Sequence, residues 1–471
     1  MVFNSFQFLW LFPLIFAGYY LLPHLFRRPD FANKLLLIIS YGLYMQWNPA
    51  YALILLGVTA ITYGFAIWIE NQPDVIHRRK LLITCGATLT LLPLLTFKYY
   101  NFIIESINSL VTFGDLSGLN WAIPIGISFY TFQAIGYLFD VYYRRIKAEH
   151  NWWDYMLFVA FFPQILSGPI SKASDLLPQI KANRTFRHSD AVQGLKWLLW
   201  GMFLKVVMAD RLGLYVDKVF DNYQFNSGSS CLMASIFYTF QIYGDFAGYS
   251  LMAMGVGKLM GFNLINNFRQ PYLSISITDF WRRWHISLST WLKDYVYIPL
   301  GGSRCSKWRN YWNIFVTFLI SGIWHGANWT FILWGIFHGI FQIIEKAFGI
   351  QRSESKGIVR IGRILITFML VNFAWIMFRM PDITDAWGVI GKIFTNFPSP
   401  LLIPSKTEAL FSFASIVTVI CVDCVHEFKA DSHWLMASKR TSIRWVSYLA
   451  LTFIILLCGV FDSGQFIYVS F

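Results

Sequence analysis

Apolar residues run in blocks of about 20 along most of the chain, with short basic or turn-forming stretches between them. A helix needs about 20 such residues to cross a bilayer, so each block is a candidate span. Cytoplasmic loops collect Lys and Arg, and this orients the blocks. The first, near 5–24, is followed by Arg27, Arg28 and Lys34, which puts that loop inside and the N-terminus outside. The second ends in Trp47-Asn48-Pro49, outside, and the third returns to His77, Arg78, Arg79 and Lys80. The fourth leads to the weakly charged stretch 98–120, and the fifth, 121–141, delivers Arg144, Arg145 and Lys147 inside. The opening MVFNSFQFLWLFPLIF lacks a basic n-region and a small-residue cleavage site, so it is expected to be a retained span.

The alternation breaks twice. Segment 152–170 is apolar but has basic residues on both sides, and Pro163 and Gly168-Pro169 interrupt it. Segment 280–300 lies between Arg282 and Arg283 on one side and Arg304, Lys307 and Arg309 on the other. Neither can begin and end on one face as a single span, so both are expected to be re-entrant or interfacial elements entering from the cytoplasm. Spans near 191–210, 231–254, 311–328, 329–346, 361–379, 409–426 and 445–462 restore the order, with a long outside loop at 380–408. The expected architecture is all-α and polytopic, about 11 or 12 spans plus two re-entrant segments in one domain over 1–471.

Composition agrees with this pattern. Of 471 residues, 56% are hydrophobic and 13% charged, against about 25% charged in a soluble globular chain. The net charge of +13 sits in short loops between apolar runs, which points to membrane orientation rather than nucleic acid. The six cysteines lie mostly in apolar segments and suggest buried thiols, not a disulfide framework. Cys421-Val-Asp-Cys424-Val-His426 is half a metal site without its second pair, so no metal is expected. The glycines of Gly255-Val-Gly257-Lys-Leu-Met-Gly261 have no βαβ pattern around them. There is no P-loop, GxSxG elbow or HExxH, which argues against ATP-driven transport, serine-hydrolase and zincin chemistry.

Ionisable residues inside membrane segments are costly and are functional candidates. In ISGIWHGANW (320–329), His325 lies about 14 residues into its span, roughly 21 Å along a helix. Gly326-Ala327-Asn328 could break the run into two helices there; if the helix continues, Asn328 shares a face with His325. His338, 13 residues on, falls near the opposite face of a straight helix, so the two would meet only if the chain folds back. Asp245, in FQIYGDFAGYS, either pairs with a histidine or caps a kink. In 269–302, Thr278 or Asp279 can cap a helix whose Trp281, Trp284, Leu288, Trp291 and Leu292 form one stripe, with Arg282, Arg283 and Lys293 off it. That suits a membrane interface, as a lipid anchor or as a basic rim for a phosphate-bearing donor.

TDFWRRWHISLSTWLKDYVYIPLGG followed by ISGIWHGANWTFILWGIFHG resembles the membrane-bound O-acyltransferase family (MBOAT), and more closely its bacterial alginate O-acetyltransferase-like branch. IPIGISFYTFQAIGYLFDVYYR, FFPQILSGPISK and FQIYGDFAGYS are similar to that branch as well. The resemblance implies a helical bundle around a central tunnel, a cytoplasmic acyl donor and an acceptor on the opposite face. It implies that His325 is the catalytic histidine, His285 the second motif histidine and His338 a further histidine typical of the branch. Acyl transfer to a hydroxyl needs a base and oxyanion donors, so His325 is the expected base, His285 a positioning group, and Asn328 or Trp324 part of the oxyanion site. An acetyl-histidine intermediate is the other route. Trp284, His338 and Asp245 are expected to line the tunnel, and Arg282, Arg283 and Lys293 to form the donor rim.

The expected donor is acetyl-CoA, with no bound cofactor. The expected acceptor is an extracytoplasmic SGNH-type acetyltransferase or a polysaccharide, on the outer side of a bacterial cytoplasmic membrane. The rival readings are an acyl-carrier-protein donor, as in teichoic acid D-alanylation, and a transporter of acyl or glycan groups without catalysis.

Overall fold

The computed structural model describes residues 3–28, 30–72, 76–110, 116–352, 355–429, 435–461 and 467, and among them all regular structure is helical. Seven of these helices are long and apolar enough to cross a membrane: Phe6–Pro23, Pro49–Glu70, His77–Leu110, His188–Phe220, Gly357–Arg379, Lys406–Phe428 and Thr441–Cys458. The chain divides into two compact units, residues 1–195 with 253–265 and residues 196–252 with 266–471.

In the first unit, the fifth expected span begins later than its apolar block, as the helix Ile127–Tyr142. Segment 152–170 is helical only over Trp152–Ala160 and then turns through buried residues, as its prolines and glycine require. Side chains take over where the helix stops. Gln133 Nε2 donates to the Phe158 carbonyl at 2.6 Å, and Gln164 Nε2 donates to Gln133 Oε1 at 3.0 Å. Such pairing is what allows irregular backbone inside a membrane protein.

The second unit holds every candidate residue. Its 280–300 segment is two short helices, Ile277–Arg283 and Ile286–Leu292, not one amphipathic helix. The cap is Ser276, whose Oγ accepts from the Asp279 N–H at 3.0 Å, rather than Thr278 or Asp279. Trp281, Trp284, Leu288, Trp291 and Leu292 are all buried, so the tryptophan stripe faces protein and does not anchor in lipid. The loop expected at 380–408 contains a further helix, Ile383–Thr395, capped by Asp382. Among the six cysteines, all free, only Cys231 is buried, whereas Cys85 and Cys421 are exposed on helix surfaces.

The ISGIWHGANW run does break. One helix spans Lys307–His325, and the next, Trp329–Ala347, is capped by Asn328 Oδ1 accepting from the Thr330 N–H at 3.1 Å. The two pack so closely that a Cβ on Gly335 would lie 2.5 Å from the Phe318 carbonyl oxygen, and one on Gly322 2.4 Å from that of Phe331. Glycine permits this approach, and backbone-close packing holds helices together where lipid gives no hydrophobic drive. Gly335→Ala should therefore lower the unfolding midpoint of the detergent-solubilised protein, by an overpacking cost of about 1–3 kcal/mol. Gly391→Ala, in a helix with nothing within 4 Å of the added Cβ, should leave it unchanged or raised.

Candidate functional site

His325 is the last residue of its helix and is 3% exposed. The imidazole is walled by Trp334 at 4.9 Å between ring centroids, Trp324 at 4.9 Å and Phe378 at 5.3 Å. His285, 40 positions earlier in the chain, comes to 6.5 Å from it, with Trp324 beside both, at 5.9 Å from His285.

His285 reaches this position because the chain breaks there. Trp284 leaves the helix with φ −103°, and His285 adopts a left-handed conformation, φ 43° and ψ 56°. Non-glycine residues in that region are uncommon and persist only when neighbours enforce them. The enforcing segment is 267–269. The Ile286 N–H donates to the Asn267 carbonyl at 3.0 Å, the Ser287 N–H to Asn267 Oδ1 at 3.1 Å, and the Arg269 N–H to the Arg283 carbonyl at 2.9 Å. Phe246 meets the imidazole edge-on at 4.6 Å. His285 is completely buried on this non-spanning connection, and burial pushes its pKa down to about 3, leaving a neutral ring at physiological pH.

His338 belongs to the same aromatic cluster, because the chain folds back between it and His325. Trp334, one turn earlier, touches both, at 4.8 Å from His338. Trp281 Nε1 donates to His338 Nδ1 at 3.2 Å. An indole is a donor only, so His338 Nδ1 accepts and its proton sits on Nε2. The indole N–H groups of Trp284, Trp334 and Trp375 are buried without an acceptor among the described residues. Trp375 lies 5.1 Å from Trp284 and 5.8 Å from Trp334, so the three indole rings are contiguous. An unpaired buried donor costs about 1–3 kcal/mol, and such groups mark where water or a substrate oxygen binds.

A cavity of about 440 Å³ opens beside this cluster, lined by Trp281, Phe318, Ile286, Leu292 and Ile314 among its apolar residues and by Arg282, Lys293 and Lys346 among its charged ones. Among the described residues no carboxylate lines it. Ser321 also lines it, fully buried with a hydroxyl unpaired among the described residues, one helical turn before His325. Arg283, grouped with the rim on sequence, is instead an internal tie. It pairs with Asp279 at 2.9 Å and with Glu427 at 2.8 Å, and Glu427 also holds Arg360 at 3.0 Å.

Two further candidates are placed differently from their expectation. Asn328 caps the following helix and donates to the Pro381 carbonyl at 2.5 Å, so it does not continue the face of His325. Asp245 pairs with a lysine, not a histidine. Lys205, on the π-helical turn Phe203–Ala209, bridges Asp245 at 2.6 Å and Asp210 at 2.7 Å, and the Ile467 N–H donates to Asp245 Oδ2 at 2.8 Å. Lys205 was missed although it lies inside the expected span 191–210, where a cation needs a partner. Trp334 and Lys346 were missed too, although Trp334 stands four positions before His338.

Buried paired imidazoles beside a basic-mouthed cavity, in a helical chain with several membrane-crossing segments, define a membrane-embedded enzyme. The sequence of the MBOAT, membrane-bound O-acyltransferase family, matches residues 138–380. The chain is 40% identical to a probable alginate O-acetylase of Pseudomonas aeruginosa over 84% of its length and 75% of that protein. It is 36% identical to a peptidoglycan O-acetyltransferase of Helicobacter pylori, over 83% and 79%, and 28% identical to a teichoic acid D-alanyltransferase of Streptococcus thermophilus, over 80% and 95%. The chain belongs to the membrane-bound O-acyltransferase family and is a multi-pass membrane enzyme that uses an acyl donor.

Removing Lys205 strands two buried carboxylates. Lys205→Met should cost about 3–5 kcal/mol of stability, seen as a lower unfolding midpoint in detergent. Lys205→Met with Asp245→Leu and Asp210→Leu should recover much of it.

Proposed function

We propose that this protein is an O-acetyltransferase of a bacterial cytoplasmic membrane. In this reading it takes an acetyl group from cytoplasmic acetyl-CoA and delivers it to an extracytoplasmic acceptor for O-acetylation of a cell-surface or exported polysaccharide. The observation that carries the reading is the meeting of His285 and His325 beside a cavity whose charged lining, among the described residues, is cationic. The relatives named as acetylases are 40% and 36% identical, against 28% for the D-alanyltransferase, and this favours acetyl over D-alanyl as the group moved.

The loop charges favour a cavity mouth on the cytoplasmic side, where Arg282, Lys293 and Lys346 would suit the phosphates of coenzyme A. The thioester arm then runs inward past Ser321 towards His325. His325 takes the proton of the acceptor hydroxyl as its oxygen attacks the thioester carbonyl. Indole N–H donors such as those of Trp284, Trp334 and Trp375 stabilise the oxyanion, the carbon–sulfur bond breaks, and His325 returns the proton to the leaving thiolate. His285, neutral and fixed by its clamp, orients the reacting groups.

The acceptor side rests on the outer layer. Helix Ile383–Thr395, the end of the helix before it and the segment after it are latched to 217–230: Arg379 pairs with Asp217 at 2.8 Å and Asp221 at 3.0 Å, Tyr223 bonds Asp385 at 3.0 Å, and the Leu402 N–H donates to Ser230 at 2.8 Å. Phe225, Phe394 and Phe397 are exposed on this layer. A rigid surface with bare aromatic rings suits docking of an extracytoplasmic SGNH-type partner that completes transfer to the polymer.

In the purified protein, His325→Ala should cut acetyl transfer by about 10²–10⁴-fold without lowering the unfolding midpoint comparably. Undiminished transfer would refute the assignment. Charge removal at the rim, Arg282→Gln with Lys293→Gln, should raise KM for acetyl-CoA and leave kcat nearly unchanged.

A further inference from the structure

One of the residues lining the cavity is a tryptophan that is itself held from behind. Trp281 lines the cavity together with Phe318 and Ser321. Its ring packs edge-on against Phe318 at 5.3 Å and against Trp334 at 5.5 Å. Trp334 in turn touches His325 at 4.9 Å. On the far side, the Trp281 N–H is tied to His338 Nδ1, and His338 is completely buried between Trp334, Phe280 and Phe341. Trp281 is 7% exposed, hemmed in by edge-type ring contacts and carrying a hydrogen bond that sets its rotation.

We propose that Trp281, held by His338, is the wall that limits the acyl group to acetyl length. The inference rests on the reading of the cavity as the acyl-thioester site. An acyl carbonyl that approaches His325 from the cavity passes Ser321, one turn below it on the same helix. The carbon chain beyond the carbonyl then points at the face of Trp281. A methyl group fits in front of a fixed indole. Further methylenes require the indole to turn, which breaks its bond to His338 and its packing on Trp334 at once. An apolar pocket normally distinguishes one methylene by roughly 10–200-fold, and a wall of interlocked aromatic rings reaches the upper part of that range because it cannot yield singly.

This gives the fully buried His338 a purpose apart from chemistry: it is a positioning residue for Trp281. It also explains why the tryptophan stripe is turned into the protein core. At the position of Trp281 a smaller residue would leave space continuous with the cavity, beside Phe280, Phe318, Trp334 and His338.

The test compares kcat/KM for acetyl-CoA and butyryl-CoA in the wild-type protein, Trp281→Leu and Trp281→Ala, purified at full length in the same detergent. The wild type is expected to prefer acetyl-CoA. Both variants are expected to raise the butyryl-to-acetyl ratio by about tenfold or more, the alanine variant most. An unchanged ratio in a folded Trp281→Leu protein that still transfers acetyl would overturn the inference, and the leucine variant supplies the answer if the alanine variant does not fold. Failure of the wild type to use any acyl-CoA would sink the donor assignment instead, so the two readings fail separately.

Discussion

The site depends on two places where the chain stops being helical. At His325 a helix ends and the backbone extends through Gly326, and at His285 a non-glycine residue is held left-handed between two short helices. Each break leaves backbone groups that must be paired inside protein, and each is paired by a short dedicated contact. Asn328 caps the helix after the first break, and the 267–269 segment hydrogen-bonds across the second. Either segment as a continuous helix would turn its histidine elsewhere. The close glycine contacts of the Lys307–His325 and Trp329–Ala347 hairpin then carry His338 and Trp334 back into the same cluster.

Around these breaks the polar groups divide by purpose. Lys205 with its two aspartates and Arg283 with Asp279 and Glu427 are self-contained ion clusters that fix helices. The cavity differs: its charged residues share one sign, and it includes a buried serine hydroxyl with no partner among the described residues. Ion pairs buried away from the cavity hold structure, whereas a cationic lining and a buried hydroxyl without a partner among the described residues suit a ligand. On that distinction Asp245 and Arg283 act as scaffold, whereas Arg282, Lys293 and Ser321 line the cavity proposed as the donor site.

Much of this was legible in the sequence. Apolar block length and basic loops gave the helical membrane class, and the same-face flanks of 152–170 and 280–300 exposed both interrupted segments. What period-3.6 reasoning could not reveal is where a helix breaks without proline or glycine. Trp284-His285 carries no local break signal, because the break is imposed by Asn267, a tertiary partner 20 positions from Ser287. Asp245 was misjudged for a related reason: its partner sits 40 positions away on another helix, beyond the reach of any local pattern. The motif resemblance identified His325 and His285 together. The geometry that joins them needed the fold.

The account stands on one claim, that an acyl thioester enters the cavity beside Arg282 and Lys293 and presents its carbonyl at His325. The direct measurement is a structure of the protein bound to a non-reactive acetyl-CoA analogue whose sulfur is replaced by a methylene. The account predicts phosphate density at Arg282, Lys293 and Lys346, an arm passing Ser321, and the acetyl carbonyl within about 3–3.5 Å of the His325 imidazole, with its methyl facing Trp281. Analogue density that avoids this cavity, or a carbonyl lodged away from both His325 and His285, would contradict it.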